Sequence, residues 1–326
     1  MASEVRPRHR PVPPVLRVSA VEDDPSTLLA RFGFQAGVDA DLTTGLDFLG
    51  GSMSQECWQV NSTVVAGQED SVIWRQAGGL LFLSCLVADD GLVDPAPIAE
   101  HAYRRLLEVA ERRGCPKLLR AWNFMPAINR GDGDAERYRR FCLGRAQALE
   151  AAGIGGPELC AGTAIGGDQP GLRIMILASS EAGINLENPR QISAYEYPPI
   201  YGPRSPSFAR ATALHQSDGG VLLLISGTAS VVGHETLHDG DLSGQLDEIV
   251  VNLNALLEES ARCLGRPHLT QFGSDSLFRA YVRHAEHWPQ VRDRLARAWP
   301  QSQVVGLRGD ICRSDLLVEI EAVTSG

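Results

Sequence analysis

The most regular pattern of apolar and polar positions lies at residues 316–322, in the run Leu-Leu-Val-Glu-Ile-Glu-Ala. Residues alternate there between two faces, as they do along a β-strand whose faces meet different surroundings. One face carries Leu316, Val318, Ile320 and Ala322, and the other carries Leu317, Glu319 and Glu321. Two carboxyl groups on one face fit a central strand beside a polar cavity, where burial raises the pKa of a carboxyl group. They also fit an edge strand with a solvated face, so the alternation leaves both placements open.

A second pattern occurs twice. At residues 74–85 and again at 215–226, a Gly-Gly pair precedes an apolar run of the length of a buried strand. The positions after each run have the period of an amphipathic helix. The first helix is predicted to begin near Pro97 and end at Gly114, and the second to end at Gly265.

Each half then continues with a further helix and a final strand. The helices are predicted at 134–152 and 276–298, and the strands at 172–178 and 317–322. The sequence therefore predicts an α+β fold of two related units, with helices packed on one face of each sheet. Met175 and Leu177 stand where the second copy has its two carboxylates, and the second copy has a longer loop, at 226–241. The second copy is therefore predicted to carry the chemistry.

The length of the chain is sufficient for two domains, predicted at 16–190 and 191–326. Residues 1–15 are rich in Pro and Arg and are predicted to form a flexible arm. Between residues 16 and 66 the pattern is mixed and predicts no strand positions.

Composition narrows the class of function. The formal net charge of −10 gives no electrostatic reason to expect a nucleic-acid partner. No apolar run approaches the roughly 20 residues that span a bilayer, and the first residues lack the apolar segment of a signal peptide, so we expect a cytoplasmic protein without a membrane partner. Seven widely spread cysteines without a Cys-x-x-Cys pair fit neither a disulfide framework nor a zinc ribbon.

The loop at 226–241 contains a formal match to the His-Glu-x-x-His zinc motif, with its histidines at His234 and His238. Zinc proteases carry this motif inside a long helix so that both imidazoles share one face. Gly233 and Gly240 bracket the match here, and no helical pattern extends to either side. We therefore expect no metal, and two histidines that form hydrogen bonds within the loop or line a pocket.

Cationic and thiol side chains supply further candidates. Residues 195–210 contain three Tyr, four Pro and two Arg, which predicts a stiff loop where Tyr201, Arg204 and Arg210 either capture a carboxylate or phosphate or belong to a solvated linker. Arg145 lies on the apolar face of its predicted helix and needs an anionic partner, either a ligand or a buried salt bridge. Cys312, in the turn before the carboxylate strand, fits a nucleophile, a proton donor or a small buried residue.

Three stretches together resemble the chorismatase family. They are Tyr-Gly-Pro-Arg-Ser-Pro-Ser-Phe-Ala-Arg at 201–210, Ile-Ser-Gly-Thr-Ala-Ser at 225–230 with the Gly-His-x-Thr-x-His-x-Gly-Asp loop that follows, and Gly-Asp-Ile-Cys-Arg-x-Asp-Leu-Leu-Val-Glu at 309–319. The likeness extends over most of the chain from about residue 55. This family is similar in fold to the YjgF-like deaminases, which are trimers with active sites between subunits. The resemblance implies two YjgF-like (chorismate mutase-like) α+β units in one chain, and a monomer with internal pseudo-symmetry.

The resemblance also implies a cofactor-free enzyme that removes the enolpyruvyl side chain of chorismate as pyruvate. Glu319 is then the acid that protonates the methylene carbon of the enol ether, which requires a carboxyl group still protonated near neutral pH. Chorismate is a dicarboxylate, and the side chains implied to bind it are Arg204, Arg210, Arg145 and Tyr201.

Two further positions bear on the product. The hydrolytic branch of the family resembles a sequence with Ala at the positions of Gly227 and Cys312. This sequence resembles the branch that forms 3-hydroxybenzoate, where Cys312 assists aromatisation and Gly227 leaves room beside the ring. A third branch, which also gives 4-hydroxybenzoate, is not separated from it by these positions.

Three alternatives accompany this hypothesis. The first is hydrolysis of chorismate to the dihydroxycyclohexadiene carboxylate and pyruvate. The second is imine or enamine hydrolysis, which is disfavoured because the deaminases of related fold are single short domains. The third is a small-molecule-binding protein without catalysis.

Overall fold

The structure is a computed structural model that describes residues 15–38 and 42–326. Its helices are α1 (Pro95–Arg112), α2 (Arg137–Ala151), α3 (Leu242–Leu264) and α4 (Trp288–Ala298). Strands β1 (Leu16–Ser19), β2 (Leu28–Gly33), β3 (Leu42–Thr43) and β5 (Gln55–Val60) form a small sheet in the order β1-β5-β2-β3.

Two larger mixed sheets contain most of the remaining strands. Sheet 1 consists of β6 (Val65–Glu69), β7 (Val72–Ala77), β8 (Leu80–Val87), β9 (Lys117–Pro126), β10 (Ala161–Gly167) and β11 (Leu172–Ser179). Sheet 2 consists of β4 (Asp47–Gly51), β12 (Ile184–Leu186), β13 (Ala211–His215), β14 (Val221–Thr228), β17 (Leu277–Val282), β18 (Gln303–Arg308) and β19 (Val318–Ser325). A separate hairpin is formed by β15 (Val231–Val232) and β16 (Glu235–Thr236).

The two large sheets share one strand order. Sheet 1 runs β10-β9-β11-β8-β7-β6, and sheet 2 runs β18-β17-β19-β14-β13-β12, with β4 added beside β18. In both, the first pair is parallel and the next three pairs are antiparallel. The predicted α+β fold of two related units is confirmed.

Helices cover one face of each large sheet, and the other faces share a central core. Leu81 and Leu83 of β8 pack in the same cluster as α1, whereas Phe82 points into the central core. Helices α3 and α4 pack against sheet 2 in the same manner. Alternation along each strand therefore separates a helix-covered face from a face turned to the other sheet.

An aromatic cluster joins the small sheet to sheet 1. Trp122 of β9 contacts Phe32, Trp58 and Phe82, with ring centroids 5.4, 5.5 and 6.0 Å away. Each such ring pair stabilises the fold by about 0.5–1.5 kcal/mol beyond the burial of its surface.

The helix ends follow their local sequence. Asp94 and Asp241 precede α1 and α3, and each carboxylate accepts a hydrogen bond from a backbone N–H of the first turn at 3.0 Å. Gly265 ends α3 with φ 63°, a left-handed conformation that favours glycine.

Strand β19 lies in the middle of sheet 2, between β14 and β17. The edge-strand alternative for the two carboxylates is therefore wrong. Val318, Ile320 and Ala322 pack against α3 and α4 as predicted, but Leu316 precedes the strand and packs in the central core instead.

The helix predicted at 276–298 is only partly correct. Its first part is β17, all of whose residues are buried between β18 and β19, and helix α4 begins at Trp288. A strand buried on both faces lacks the alternation of apolar and polar residues that identifies a half-buried strand. The single polar residue within it, Arg279, falls where an amphipathic helix would have a polar position, so the segment was predicted as helix.

The predicted arm and domain boundary have different outcomes. Residues 1–14 lie outside the described residues, and Val15, the last residue of the predicted arm, is buried and donates its N–H to Asn61 Oδ1 at 3.0 Å. The boundary at residue 190 stays a prediction. Strands β4 and β12 precede it in the chain and pair within sheet 2.

Within the described ranges, none of the helices has the length and apolar content to cross a bilayer.

Candidate active site

A cavity of about 290 Å³ opens where β10 of sheet 1 meets sheet 2. The two sheets are joined there by hydrogen bonds from the backbone of β10 to Thr212 and Ser226, at 2.8 and 2.9 Å. The walls come from α2, β10, β14, β19 and the loops around residues 191–210 and 312–316. The cavity therefore uses both halves of the chain.

Glu319 projects from β19 into this cavity and is 5% exposed. Burial, and then the charge of Glu321, raise the pKa of the Glu319 carboxyl group to about 8, although Arg120 and Arg210 act in the opposite direction. Among the described residues, no donor lies within hydrogen-bond distance of this carboxyl group. Glu319 is thus a buried acid that holds its proton at neutral pH and has no protein partner.

Glu321 lies two residues along the same strand and has the opposite surroundings. Its Oε2 accepts hydrogen bonds from Arg120 Nη2 and Thr163 Oγ1, both at 2.6 Å. Its Oε1 accepts from Trp122 Nε1 at 3.0 Å and lies 3.3 Å from Arg279 Nη1. The two carboxyl groups predicted to share a face therefore differ: Glu321 is fixed by donors and Glu319 is open to a ligand.

Gly227 of β14 lies against the Glu319 carboxyl group. A Cβ atom at this position would be 1.9 Å from Glu319 Oε1 and 2.6 Å from its carboxyl carbon. The pairing between β14 and β19 is irregular there, between Ile225 and Thr228. The space that a side chain at 227 would fill is already occupied by the acid.

Cys312 lies in the turn before β19, half-buried at the cavity wall. Burial, and then the charge of Glu319, hold the pKa of its thiol well above the ordinary value, so the sulfur carries its proton at neutral pH. Arg283 fixes the turn because its guanidinium donates to the carbonyls of Ile311, Arg313 and Leu316 at 3.1, 2.8 and 2.8 Å. Burial and the nearby Glu319 therefore favour a protonated thiol over a thiolate nucleophile.

Two buried guanidinium groups face the cavity without a carboxylate partner. Arg145 of α2 and Arg210 before β13 are each 5% exposed, and the Nε of each is buried without a hydrogen bond. Arg145 lies over the ring of Tyr103, and Arg210 donates to Tyr197 Oη at 2.7 Å and to the carbonyl of Ile192 at 3.0 Å. Buried cations need anions, so these two groups fit a ligand with carboxylates.

Tyr201 also lines the cavity. Its hydroxyl donates to the backbone carbonyl of His234 at 2.7 Å, and the guanidinium of Arg313 stacks over its ring at 4.1 Å. Arg313 itself donates to the same carbonyl at 2.9 Å. The hairpin β15–β16 is held against the cavity by these contacts.

Arg204 is the predicted site residue that the structure does not bring into this cavity. Its side chain is 49% exposed and pairs with Glu150 at 3.1 Å on the surface. Arg210, at the end of the same loop, is buried and lines the cavity. The sequence-based position of Arg204 is corrected accordingly.

The two histidines of the zinc-like motif lie in or after the hairpin, not on a helix. His234 Nδ1 is 3.2 Å from Tyr201 Oη, and His238 Nε2 is 3.5 Å from Glu248 Oε2. Among the residues that the structure describes, no three His, Cys, Asp or Glu side chains are grouped as metal ligands.

Several site residues were missed in the sequence. Tyr197 lies in the stretch 195–210 and Arg313 in the stretch 309–319, both of which the sequence analysis identified. Each could have been proposed as a site residue from its neighbours, Tyr201 and Cys312. The run at 120–124, which begins with Arg120, also belongs to the family resemblance, but the contacts of Arg120 and Thr163 with Glu321 were not predicted because they form only when the sheets pack.

The site combines a buried acid that carries a proton with two buried guanidinium groups, and this arrangement fits an anionic ligand that receives a proton. A family model described as "Chorismatase FkbO/Hyg5-like, N-terminal" matches residues 56–178. The chain is 38% identical over 278 residues to a 3-hydroxybenzoate synthase from Streptomyces hygroscopicus, which covers 82% of this chain and 80% of that protein. It is also 35% identical over 281 residues to a chorismatase from the same species. That alignment covers 83% of this chain and 79% of the chorismatase.

A solved crystal structure of a chorismatase has a TM-score of 0.81 and 32% identity, covering 96% of this chain and 99% of that one. The chain belongs to the chorismatase family.

Proposed function

We propose that this protein converts chorismate into 3-hydroxybenzoate and pyruvate. The observation that carries the proposal is Glu319, a buried acid without a protein partner in a cavity with two unpaired guanidinium groups. Similarity to a 3-hydroxybenzoate synthase and to chorismatases supports it. A binding protein without catalysis would have no need of an acid whose pKa is raised to about 8.

Arg145 and Arg210 bind the two carboxylates of the substrate. Both guanidinium groups are already desolvated, and each has a buried Nε without a partner. A charge-assisted contact with a carboxylate restores these lost hydrogen bonds. Tyr201 and the stacked Arg313 line the same cavity and orient the ligand.

Glu319 donates its proton to the methylene carbon of the enolpyruvyl group. The C–O bond between side chain and ring then breaks, and its electrons go to the oxygen that becomes the ketone of pyruvate. The neighbouring ring hydroxyl bonds to the vacated ring carbon, and its proton restores the acid form of Glu319.

Cys312 acts after this step. One C–O bond of the three-membered ring so formed breaks, the ring carbon that keeps the oxygen loses its hydrogen as a proton, and the oxygen takes up a proton, which gives the aromatic phenol. A protonated thiol beside the ring assists this collapse as a hydrogen-bond donor to the ring oxygen. The atoms of chorismate divide between 3-hydroxybenzoate and pyruvate with no water or oxidant consumed. Hydrolysis to the dihydrodiol acid, the runner-up, adds one water.

The test replaces the acid while keeping its shape. Glu319→Gln is expected to bind chorismate with an affinity close to that of the wild type, measured by calorimetry, and to form no pyruvate. A protein with no catalytic function would show the same binding and no pyruvate in either form. Pyruvate formation by Glu319→Gln at the wild-type rate would remove Glu319 from its proposed role.

A matched pair of arginine variants tests the binding groups. Arg210→Met is expected to weaken chorismate binding by about tenfold or more, because a charged hydrogen bond is lost. Arg204→Met, on the exposed surface of the same loop, is expected to bind as the wild type does. Equal losses in both variants would contradict the placement of Arg210.

A further inference from the structure

We propose that Glu321 is a positioning residue that keeps the catalytic acid in its proton-carrying form. Its carboxylate is held by hydrogen bonds from sheet 1 and by an ion pair with Arg279 of sheet 2, and through Thr163 it fixes the strand segment against which Glu319 lies. This inference rests on the proposed function, because it assigns a role within that site.

The first support is that Glu321 is surrounded by donors. Arg120 and Thr163 bind one of its oxygens and Trp122 binds the other, at 2.6, 2.6 and 3.0 Å. Hydrogen bonds to both oxygens fix the position and the orientation of this carboxylate. Of the two acids on this face of β19, Glu321 is therefore the fixed one, and Glu319 is the one that lines the cavity.

The second support is the balance of buried charge. Arg279 donates to Glu56 at 2.9 and 2.6 Å and lies 3.3 Å from Glu321. Two guanidinium groups, Arg120 and Arg279, are thus matched by two carboxylates, Glu56 and Glu321. Glu319 forms no ion pair within 4 Å in the described part of the chain, so no guanidinium group is bound to it as Arg120 is bound to Glu321.

The groups that face Glu319 come from every element around it. They are Glu321 on β19, Arg120 on β9, Arg210 before β13, Cys312 in the turn before β19, and Tyr138 on α2. Arg145 of α2 lines the same cavity. Glu321 is the nearest fixed anion along the strand, and its charge opposes ionisation of Glu319.

The third support is the link to Gly227. Thr163 Oγ1 donates to Glu321 and accepts a hydrogen bond from Gly227 N at 3.0 Å. Gly227 in turn bounds the space of the Glu319 carboxyl group. One hydroxyl therefore joins the fixed carboxylate to the backbone that limits where the acid can lie.

The experiment compares Glu321→Gln with Glu321→Asp. The protonation of Glu319 is followed in the chorismate-free protein by the infrared carbonyl band that Glu319→Gln lacks, and in turnover by the alkaline limb of kcat/KM. Glu321→Gln is expected to shift both midpoints to lower pH by about one unit or more, because a neighbouring negative charge is removed. Glu321→Asp keeps the charge and is expected to leave both midpoints near those of the wild type.

A second pair covers the case in which Glu321→Gln does not fold. Thr163→Val is expected to lower kcat by about tenfold with a much smaller change in KM, and Thr163→Ser to restore it. Unmoved midpoints in folded Glu321→Gln, or wild-type kcat in Thr163→Val, would overturn the inference. An infrared shift in a protein that leaves chorismate intact would support the inference and contradict the proposed function.

Discussion

The carboxyl group of Glu319 occupies the space that a side chain at position 227 would need. The missing side chain of Gly227 is the space in which the acid lies, since a Cβ there would be 1.9 Å from Glu319 Oε1. The atoms in the way are the end of a flexible side chain, so a larger residue would displace the carboxyl group before it displaced the strand. The sequence analysis expected Gly227 to leave room beside the substrate ring. The structure indicates that it also leaves room for the carboxyl group of Glu319.

Gly227→Ala is expected to fold but to lower kcat by about tenfold or more, because a displacement of roughly 1 Å in a catalytic group has large kinetic effects. Circular dichroism and turnover of chorismate measure the two properties. Gly155→Ala is the control, because no atom lies within 4 Å of a Cβ at that extended position. Wild-type kcat in Gly227→Ala would show that the acid tolerates the added methyl group.

The raised pKa of Glu319 also affects stability. The folded protein holds this proton up to pH about 8, whereas the unfolded chain releases it near pH 4.5, so stability falls as pH rises through that window. The loss is about 1.4 kcal/mol per pH unit at most for a single such group. Thermal unfolding from pH 5 to pH 8, a range of about three units within the window, should show a smaller decrease in Glu319→Gln than in the wild type. Parallel pH dependence of the two proteins would contradict a buried, protonated Glu319.

At the scale of elements, long periodic segments were predicted well and doubly buried ones were not. Helix α3 and its end at Gly265 follow from the apolar period and the glycine. Strand β17 was assigned to a helix because both of its faces are buried and its one cation, Arg279, is neutralised by Glu56, far away in the sequence. The strands before residue 60 are two to six residues long, too short for a period to register.

Arg283, which follows β17, determines the conformation of the turn that carries Cys312. Its three bonds to the carbonyls of that turn span residues 311–316. Arg283→Met is expected to loosen the turn and to shift the products in the same direction as Cys312→Ala. Arg292→Met, an exposed arginine that contacts its neighbour Asp293, serves as the control. Wild-type products from Arg283→Met would show that the turn holds its shape without these bonds.

At the scale of the whole molecule, the site exists because two related units pack within one chain. Arg120, Thr163 and Arg145 come from the first half, and Glu319 and Gly227 from the second. The internal repeat was predicted from the sequence, and so was the strand that carries Glu319 and Glu321. The pairing of Arg120 with Glu321, 201 residues apart, was not, because it depends on how the sheets face each other.

Because one chain supplies all of these walls, we expect the enzyme to be active as a monomer. Light scattering on the purified protein should give the mass of one chain, 35.2 kDa, and specific activity should not change on dilution. Activity that disappears on dilution together with a larger species would contradict a site completed within a single chain.

The most direct test is to incubate the purified protein with chorismate and to identify the products by chromatography and mass, beside Cys312→Ala. We expect 3-hydroxybenzoate and pyruvate in equal amounts from the wild type, and a shift toward the non-aromatic dihydrodiol acid from the variant. Chorismate that survives intact in the presence of folded wild-type protein would contradict the proposed reaction.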